Sequence, residues 1–366
     1  MGVTGATLPS EHPLSIPGPE KFAARLPGRI PSLDGLRAIS ILLVVVGHAI
    51  PPKAFPRLFT LFGHLGNYGV RIFFLISGFL ITTLLLKEFD RAGHVSLKNF
   101  YVRRALRIFP AFYLYVIAIV ILSGLGMVIL YPGDLLHTLT YTMNYHMKRS
   151  WYLNHIWSLS VEEQFYLLWP AVILLTRPRK ALKIAVWVVL LAPVVRFLMA
   201  FVFDASPTAL MRHFQAVSDA LATGCLLAGF YNWLGHQGWY MRFSGQAWIP
   251  IAAGLILMGS GAGFLFNPLL FYIPGQTVAN LGGILLIDHS IRHPNGWFGQ
   301  LMNWKPLAYI GMWSYSIYLW QELFLDHEKT GLGIPLPYNV ILTFAVSILS
   351  YYFIEQQFLK LKDRFS

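Results

Sequence analysis

Arg37 and His48 stand eleven residues apart in the stretch SLDGLRAISILLVVVGH, residues 32–48. At about 100° per residue the separation is three helical turns plus about 20°, so both side chains share one face, about 16 Å apart along the axis. The ten residues between them carry no polar side chain larger than Ser40. Ionisable groups inside a membrane are costly and point to function by default. A guanidinium suits an anion, and an imidazole that titrates near neutrality suits proton transfer. The plain alternative is an arginine snorkelling to lipid phosphates and a histidine hydrogen-bonded in a packed core. For a lone histidine that alternative usually wins; the shared face with Arg37 weighs against it here.

Three further groups carry chemistry. Arg103, Arg104 and Arg107 have i,i+3 and i,i+4 spacings, so a helix gathers them. Basic cytoplasmic loops explain part of this charge. They do not explain three arginines at the mouth of a span, where guanidinium forks suit phosphate. In WSLSVEEQFY, residues 157–166, Glu162 and Glu163 fall near the start of a span, where each is expensive unless paired or wet. Glu162, Phe165, Tyr166 and Trp169 share a face. Capping by Ser158 or Ser160, with both carboxylates meeting the helix dipole, is the other reading, and for Glu163 the two weigh equally. The last group is scattered: Arg71, Arg196, Asp219, Asp288, Glu322 and Glu355. Interhelical ion pairing is the default for Arg196, Asp288 and Glu322.

These residues need a membrane-embedded frame. The chain has 366 residues, 56% hydrophobic and 12% charged, against about 25% charged in soluble proteins. Long apolar runs recur throughout, and the 15% of aromatic residues suits interfacial belts. The spacing predicts an all-α polytopic membrane protein of about ten spans, near 34–50, 68–86, 108–130, 155–176, 182–203, 215–233, 247–266, 272–290, 307–325 and 337–355. In the second span Ser77 and Gly78 form a small pair that lets helices approach closely. Basic clusters at 87–107, 177–183 and 360–364 place both termini in the cytoplasm and the loops after His48 and around 131–155 outside. Residues 1–30, rich in Pro and Gly and without an apolar core, read as a loose cytoplasmic tail and not as a signal peptide. Residues 31–356 form the transmembrane domain and 357–366 a basic cytoplasmic tail.

The net charge of +12 follows from cytoplasmic loops and does not indicate nucleic-acid binding. Cys225 is the single cysteine, which excludes an intrachain disulfide and a cysteine-built metal site. No G-x-S-x-G elbow, H-E-x-x-H helix or P-loop is present. No histidine is followed by aspartate five residues later, and no internal repeat of the transporter kind is seen.

Together the motifs LDGLRAISILLVVVGH, FFLISGFLI, FYVRRALRIFP and WSLSVEEQFYLLWP, with looser matches in SDALATGCLLAG and SYSIYLWQ, resemble the membrane acyltransferase-3 family over roughly residues 31–356. These are bacterial integral-membrane O-acyltransferases. The resemblance implies a multi-pass protein of the bacterial plasma membrane that moves an acyl group, commonly acetyl, from cytoplasmic acyl-CoA to a hydroxyl presented outside. The implied acceptor is a carbohydrate or lipid-linked glycan, and no metal takes part. By this similarity His48 is catalytic, as general base or as an acyl-imidazole relay. Glu162 orients or charge-stabilises it, or lines the acceptor site. Arg37, Arg103, Arg104 and Arg107 hold the CoA phosphates, and Arg71 helps bind the donor or stabilises the oxyanion. Trp157, Glu163, Tyr166 and Ser77 belong to substrate binding, with Trp157 and Tyr166 stacking on a sugar. Two positions depart from the family pattern. Gln321 stands where many relatives have His, and Gln356-Gln357 follow Glu355 where many have Glu-x-Pro. No soluble domain is appended, which implies a stand-alone transferase. A small-molecule acceptor such as a macrolide, a proton-coupled transporter relaying through His48, Glu162 and Asp219, and a membrane scaffold are the competing readings.

Overall fold

The computed structural model describes residues 30–50, 65–262, 267–326 and 332–362. The expected tail at 1–30, all but its last residue, the loop 51–64 and the terminal 363–366 lie outside the described residues. All regular structure among the described residues is helical. The long elements are α1 (Pro31–Ala49), α2 (Leu65–Ala92), α3 (Leu97–Gly124), α4 (Ile156–Phe201), α5 (Phe214–His236), α6 (Ile249–Gly259), α7 (Gln276–Arg292), α8 (Lys305–Phe324), α9 (Tyr338–Ser350) and α10 (Gln356–Lys362).

Helix occurs at each segment expected to span, but six helices among the described residues are long and apolar enough to cross a membrane. The number of crossings is therefore not fixed by the structure. α6 has 11 residues, short of the roughly 20 that a bilayer requires. α5 and α8 have the length but carry buried polar groups such as Asp219, Thr223, Ser316 and Glu322.

Three boundaries differ from expectation. The basic segment 87–110 is helical on both sides of a short turn at 93–96, so both spans extend into it: α2 runs to Ala92, Gly93 ends it with φ 71°, and Ser96 caps α3 by accepting from Asn99 N. Arginine and lysine are good helix formers, so their charge does not unwind the chain. The expected turn at 177–183 is reduced to Arg177, the one residue of α4 with non-helical angles (φ 65°, ψ 157°), directly before Pro178. At the other end of the chain, helix continues through residue 356 as far as Lys362.

Close packing uses small residues. A Cβ on Gly78 would stand 2.0 Å from Leu221 O, and one on Gly224 2.2 Å from Leu75 O, so α2 and α5 touch backbone to backbone. The small pair read at Ser77-Gly78 is thus a helix crossing. α1 and α8 run side by side in the same direction, with Gly311 against the Asp34 carbonyl at one end and Gln321 against His48 at the other. A buried polar knot joins α2, α4, α5 and α7. Arg196 donates to Asp219 Oδ2 (3.0 Å), Ala216 O (2.8 Å), Ile273 O (3.0 Å) and Thr277 Oγ1. Arg71 donates to Asn280 Oδ1 (2.7 Å) and to both oxygens of Gln276, with Asp219 Oδ1 at 3.9 Å. Asp288 is held by Arg292 (2.7 Å) and Tyr240 (2.8 Å). The default of interhelical ion pairing thus fits Arg196, which meets Asp219 across α4 and α5, whereas the ion-pair partner of Asp288 is Arg292 on its own helix.

Candidate functional site

Two polar regions lie at opposite ends of α1. The first is a cavity of about 340 Å³ at the Asp34–Arg37 end, bounded by α1, α2, α3, α4 and α8. Its lining holds four cations, Arg37, Lys87, Arg104 and Arg107, and two carboxylates, Asp34 and Glu162. Arg37 Nη1 is 3.3 Å from Asp34 Oδ1. The Arg104 guanidinium lies over the Tyr166 ring at 5.2 Å and Phe100 at 5.8 Å. Glu162 accepts from Ser77 Oγ (2.9 Å) and Tyr166 OH (3.0 Å). Neither Arg104 nor Arg107 forms a salt bridge to a carboxylate among the described residues. A helical surface that gathers arginines without pairing them fits an anionic ligand.

The cavity lining reaches Ser158 and Tyr318 and does not include His48. There the Ser158 and Tyr318 hydroxyls lie 2.5 Å apart, and Tyr318 also donates to His155 O at 2.9 Å. Beyond this pair lies the second region. His48 Nδ1 is 2.8 Å from Gln321 Oε1, and its ring meets the edge of Trp151 at 5.5 Å between centroids. The Gln321 side-chain amide thus holds the imidazole by one ring nitrogen. Glu322 Oε1 lies 4.0 Å from His48 Nδ1. The Glu322 carboxylate is fully buried and accepts from His155 N (3.0 Å), His155 Nδ1 (2.8 Å) and Asn154 Nδ2 (3.3 Å). The Trp151 indole N–H donates to the Glu322 carbonyl at 2.8 Å.

The structure therefore brings together Arg37, Arg104, Arg107, Ser77, Glu162 and Tyr166 in one cavity. It leaves five expected site residues off that lining, His48 at the far end of α1 among them. Arg103 pairs with Glu88 at 3.4 Å. Arg71 belongs to the knot around Asp219. Trp157 is buried between Phe74 and Arg212, at 6.1 and 5.5 Å. Glu163 Oε1 is enclosed without a hydrogen-bond partner. Glu162 is bonded within the arginine cavity, whereas the carboxylate beside His48 is Glu322. Sequence reasoning assigned Glu322 to structure and passed over His155 and Trp151. The available signal was position: His155 directly precedes the WSLS motif, and Glu322 directly follows Gln321. No three His, Cys, Asp or Glu side chains are grouped to hold a metal ion among the described residues.

Comparison with known proteins agrees with the motif reading. The profile of the family described as Acyltransferase domain, acyltransferase-3, matches residues 30–355. The chain is 29% identical to the peptidoglycan O-acetyltransferase OatA of Listeria monocytogenes, over 89% of this chain and 55% of the relative. It is 28% identical to the putative peptidoglycan O-acetyltransferase YrhL of Bacillus subtilis, over 89% of this chain and 54% of the relative. It is 29% identical to a putative O-acetyltransferase of Staphylococcus aureus, over 90% and 57%. The chain thus spans about half the length of the curated relatives it matches. No solved structure matches it.

Proposed function

The chain belongs to the acyltransferase-3 family, and from that premise we propose that it transfers an acetyl group from acetyl-CoA to a hydroxyl of a cell-wall carbohydrate across the bacterial plasma membrane. The donor docks at the arginine cavity, which faces the cytoplasm. The acceptor arrives at the His48 end, outside. In this reading the chain crosses the membrane ten times, with both termini inside, as the alternation of basic loops requires. The observation that carries the proposal is the pairing of an electropositive cavity at the foot of α1 with an imidazole oriented by Gln321 at its head. The relatives named peptidoglycan O-acetyltransferases support the choice of acyl group and acceptor.

The proposed chemistry balances without a metal. Arg104 and Arg107 hold the CoA phosphates by charge-assisted bonds, and the pantetheine arm spans the roughly 16 Å of helix between Arg37 and His48. For the thioester to arrive, the Ser158–Tyr318 pair parts. The His48 imidazole takes the proton of the acceptor hydroxyl, and the oxygen attacks the thioester carbonyl. The tetrahedral oxyanion collapses, the C–S bond breaks, and the imidazolium returns its proton to the departing thiolate. Glu322, 4.0 Å from Nδ1, offsets the positive charge that His48 carries between these steps.

Calorimetric titration of acetyl-CoA into the detergent-purified protein tests the donor half. Saturable binding retained in His48→Ala and lost in an Arg104→Gln, Arg107→Gln double variant is the expected result. Absence of binding by any short acyl-CoA overturns the reading and turns attention to transport.

A further inference from the structure

Trp151 meets the His48 ring and also lines a polar cleft of about 180 Å³ formed by residues 129–131 and 149–154. Tyr131, Arg149, Ser150, Trp151 and Asn154 line it. The loop that builds it is held by one fully buried carboxylate. Asp134 accepts from Tyr131 N at 2.7 Å, from Ser150 N at 3.2 Å and from His146 Nε2 at 3.1 Å, so it ties the two rims together. Ser150 Oγ donates to Ile129 O at 2.6 Å, a second tie between the same rims. Both rims are thus fixed before any ligand arrives.

The walls combine aromatic rings with planar polar groups. Tyr131 is 41% exposed, which leaves much of its ring to a ligand, and Lys148 Nζ lies 5.8 Å from its centroid. Arg149 gives Nε to Asn154 Oδ1 (2.8 Å) and Nη1 to the carbonyls of Met143 and His146. Its Nη2 makes no hydrogen bond among the described residues. Burial lowers the Arg149 guanidinium from its ordinary value, opposed by the charges of Glu322 and Asp134. The C–H face of a pyranose ring is apolar and weakly positive, which suits the negative face of an aromatic ring, while its hydroxyls need fixed donors and acceptors. The volume is below the roughly 300–1,000 Å³ of whole-ligand pockets. It admits one ring of a longer chain whose remainder stays outside.

We propose that this cleft is the acceptor subsite and that it binds one sugar ring of the glycan through Tyr131, Trp151, Arg149 and Asn154, presenting a hydroxyl to His48. The inference rests on the acyltransferase reading and moves the acceptor away from Trp157, Glu163, Tyr166 and Ser77. Trp157 is buried, Glu163 Oε1 is enclosed, and Ser77 and Tyr166 sit among the arginines.

The test is binding of soluble disaccharide-peptide fragments of peptidoglycan to the full chain in detergent, beside acetyl-CoA, for wild type, Tyr131→Ala and Arg149→Gln. Tyr131 is tied to Asp134 through its backbone, so the alanine variant keeps the loop. The expected result is an about tenfold weaker fragment Kd in Tyr131→Ala, the upper end of what one aromatic contact contributes, with acetyl-CoA affinity unchanged. Fragment affinity within twofold of wild type in both variants overturns the cleft. Acetyl-CoA binding without fragment binding in the wild type overturns the sugar subsite and leaves the donor reading standing. Binding of neither removes both.

Discussion

The two ends of α1 are built on opposite plans. At the Arg37 end, four cations face two carboxylates around an open cavity, and Arg104 and Arg107 stay unpaired by any described carboxylate. At the His48 end the polar groups are committed to one another around a buried carboxylate: His48 Nδ1 to Gln321, Glu322 to His155 and Asn154. Cations that line a cavity without a carboxylate partner are ready for a mobile anion. A buried carboxylate survives only if its partners are fixed. The first plan suits binding and release, the second suits holding one imidazole in one orientation. On the proposed function, one helix thus joins a docking end to a chemical end.

That contrast can be broken by substitutions that act on one end only. His48→Ala is expected to reduce turnover by about 10³-fold or more, within the range for loss of a general base, while acetyl-CoA affinity stays unchanged. Weakened donor binding in that variant, by calorimetry, would mean that the ends are not separate. Glu322→Gln comes next, with an expected loss of about 10²-fold in kcat and little change in either KM. Its counterpart, Glu162→Gln, should change donor KM more than kcat. Steady-state kinetics showing the reverse would return Glu162 to the role of partner of His48. Arg104→Gln is expected to weaken acetyl-CoA by about tenfold, the value of one hydrogen bond to a charged group. Arg103→Gln should change it by about twofold at most, because Arg103 already faces Glu88. Equal effects of the two arginine changes would dissolve the distinction between a lining residue and a paired one.

What the sequence revealed of this site follows from what lies on one helix. The face shared by Arg37 and His48, and the grouping of Arg104 with Arg107, need only the 3.6-residue period. The partners of His48 are 273 residues away and those of His155 are 167 residues away, so no local spacing exposes them. The place of Arg71 in the knot around Asp219 is hidden for the same reason: its partners Gln276 and Asn280 are 205 and 209 residues distant. Glu162 drew attention because it sits in a motif with Tyr166, and that neighbour is one of its partners. The helical class was legible from apolar runs alone. The span count was not, since Asp219, Glu322 and their neighbours reduce the apolarity of helices that the bundle itself encloses.

The hydroxyl pair of Ser158 and Tyr318, resting on the His155 carbonyl, closes the arginine cavity short of His48. On the proposed function, in which a group passes from one side of a bilayer to the other, the same contact is also electrical insulation: while the two hydroxyls stay together, the cavity lining stops short of His48. It would likewise shield an incoming thioester from outside water until the acceptor is in place, so an enzyme working this way is an airlock.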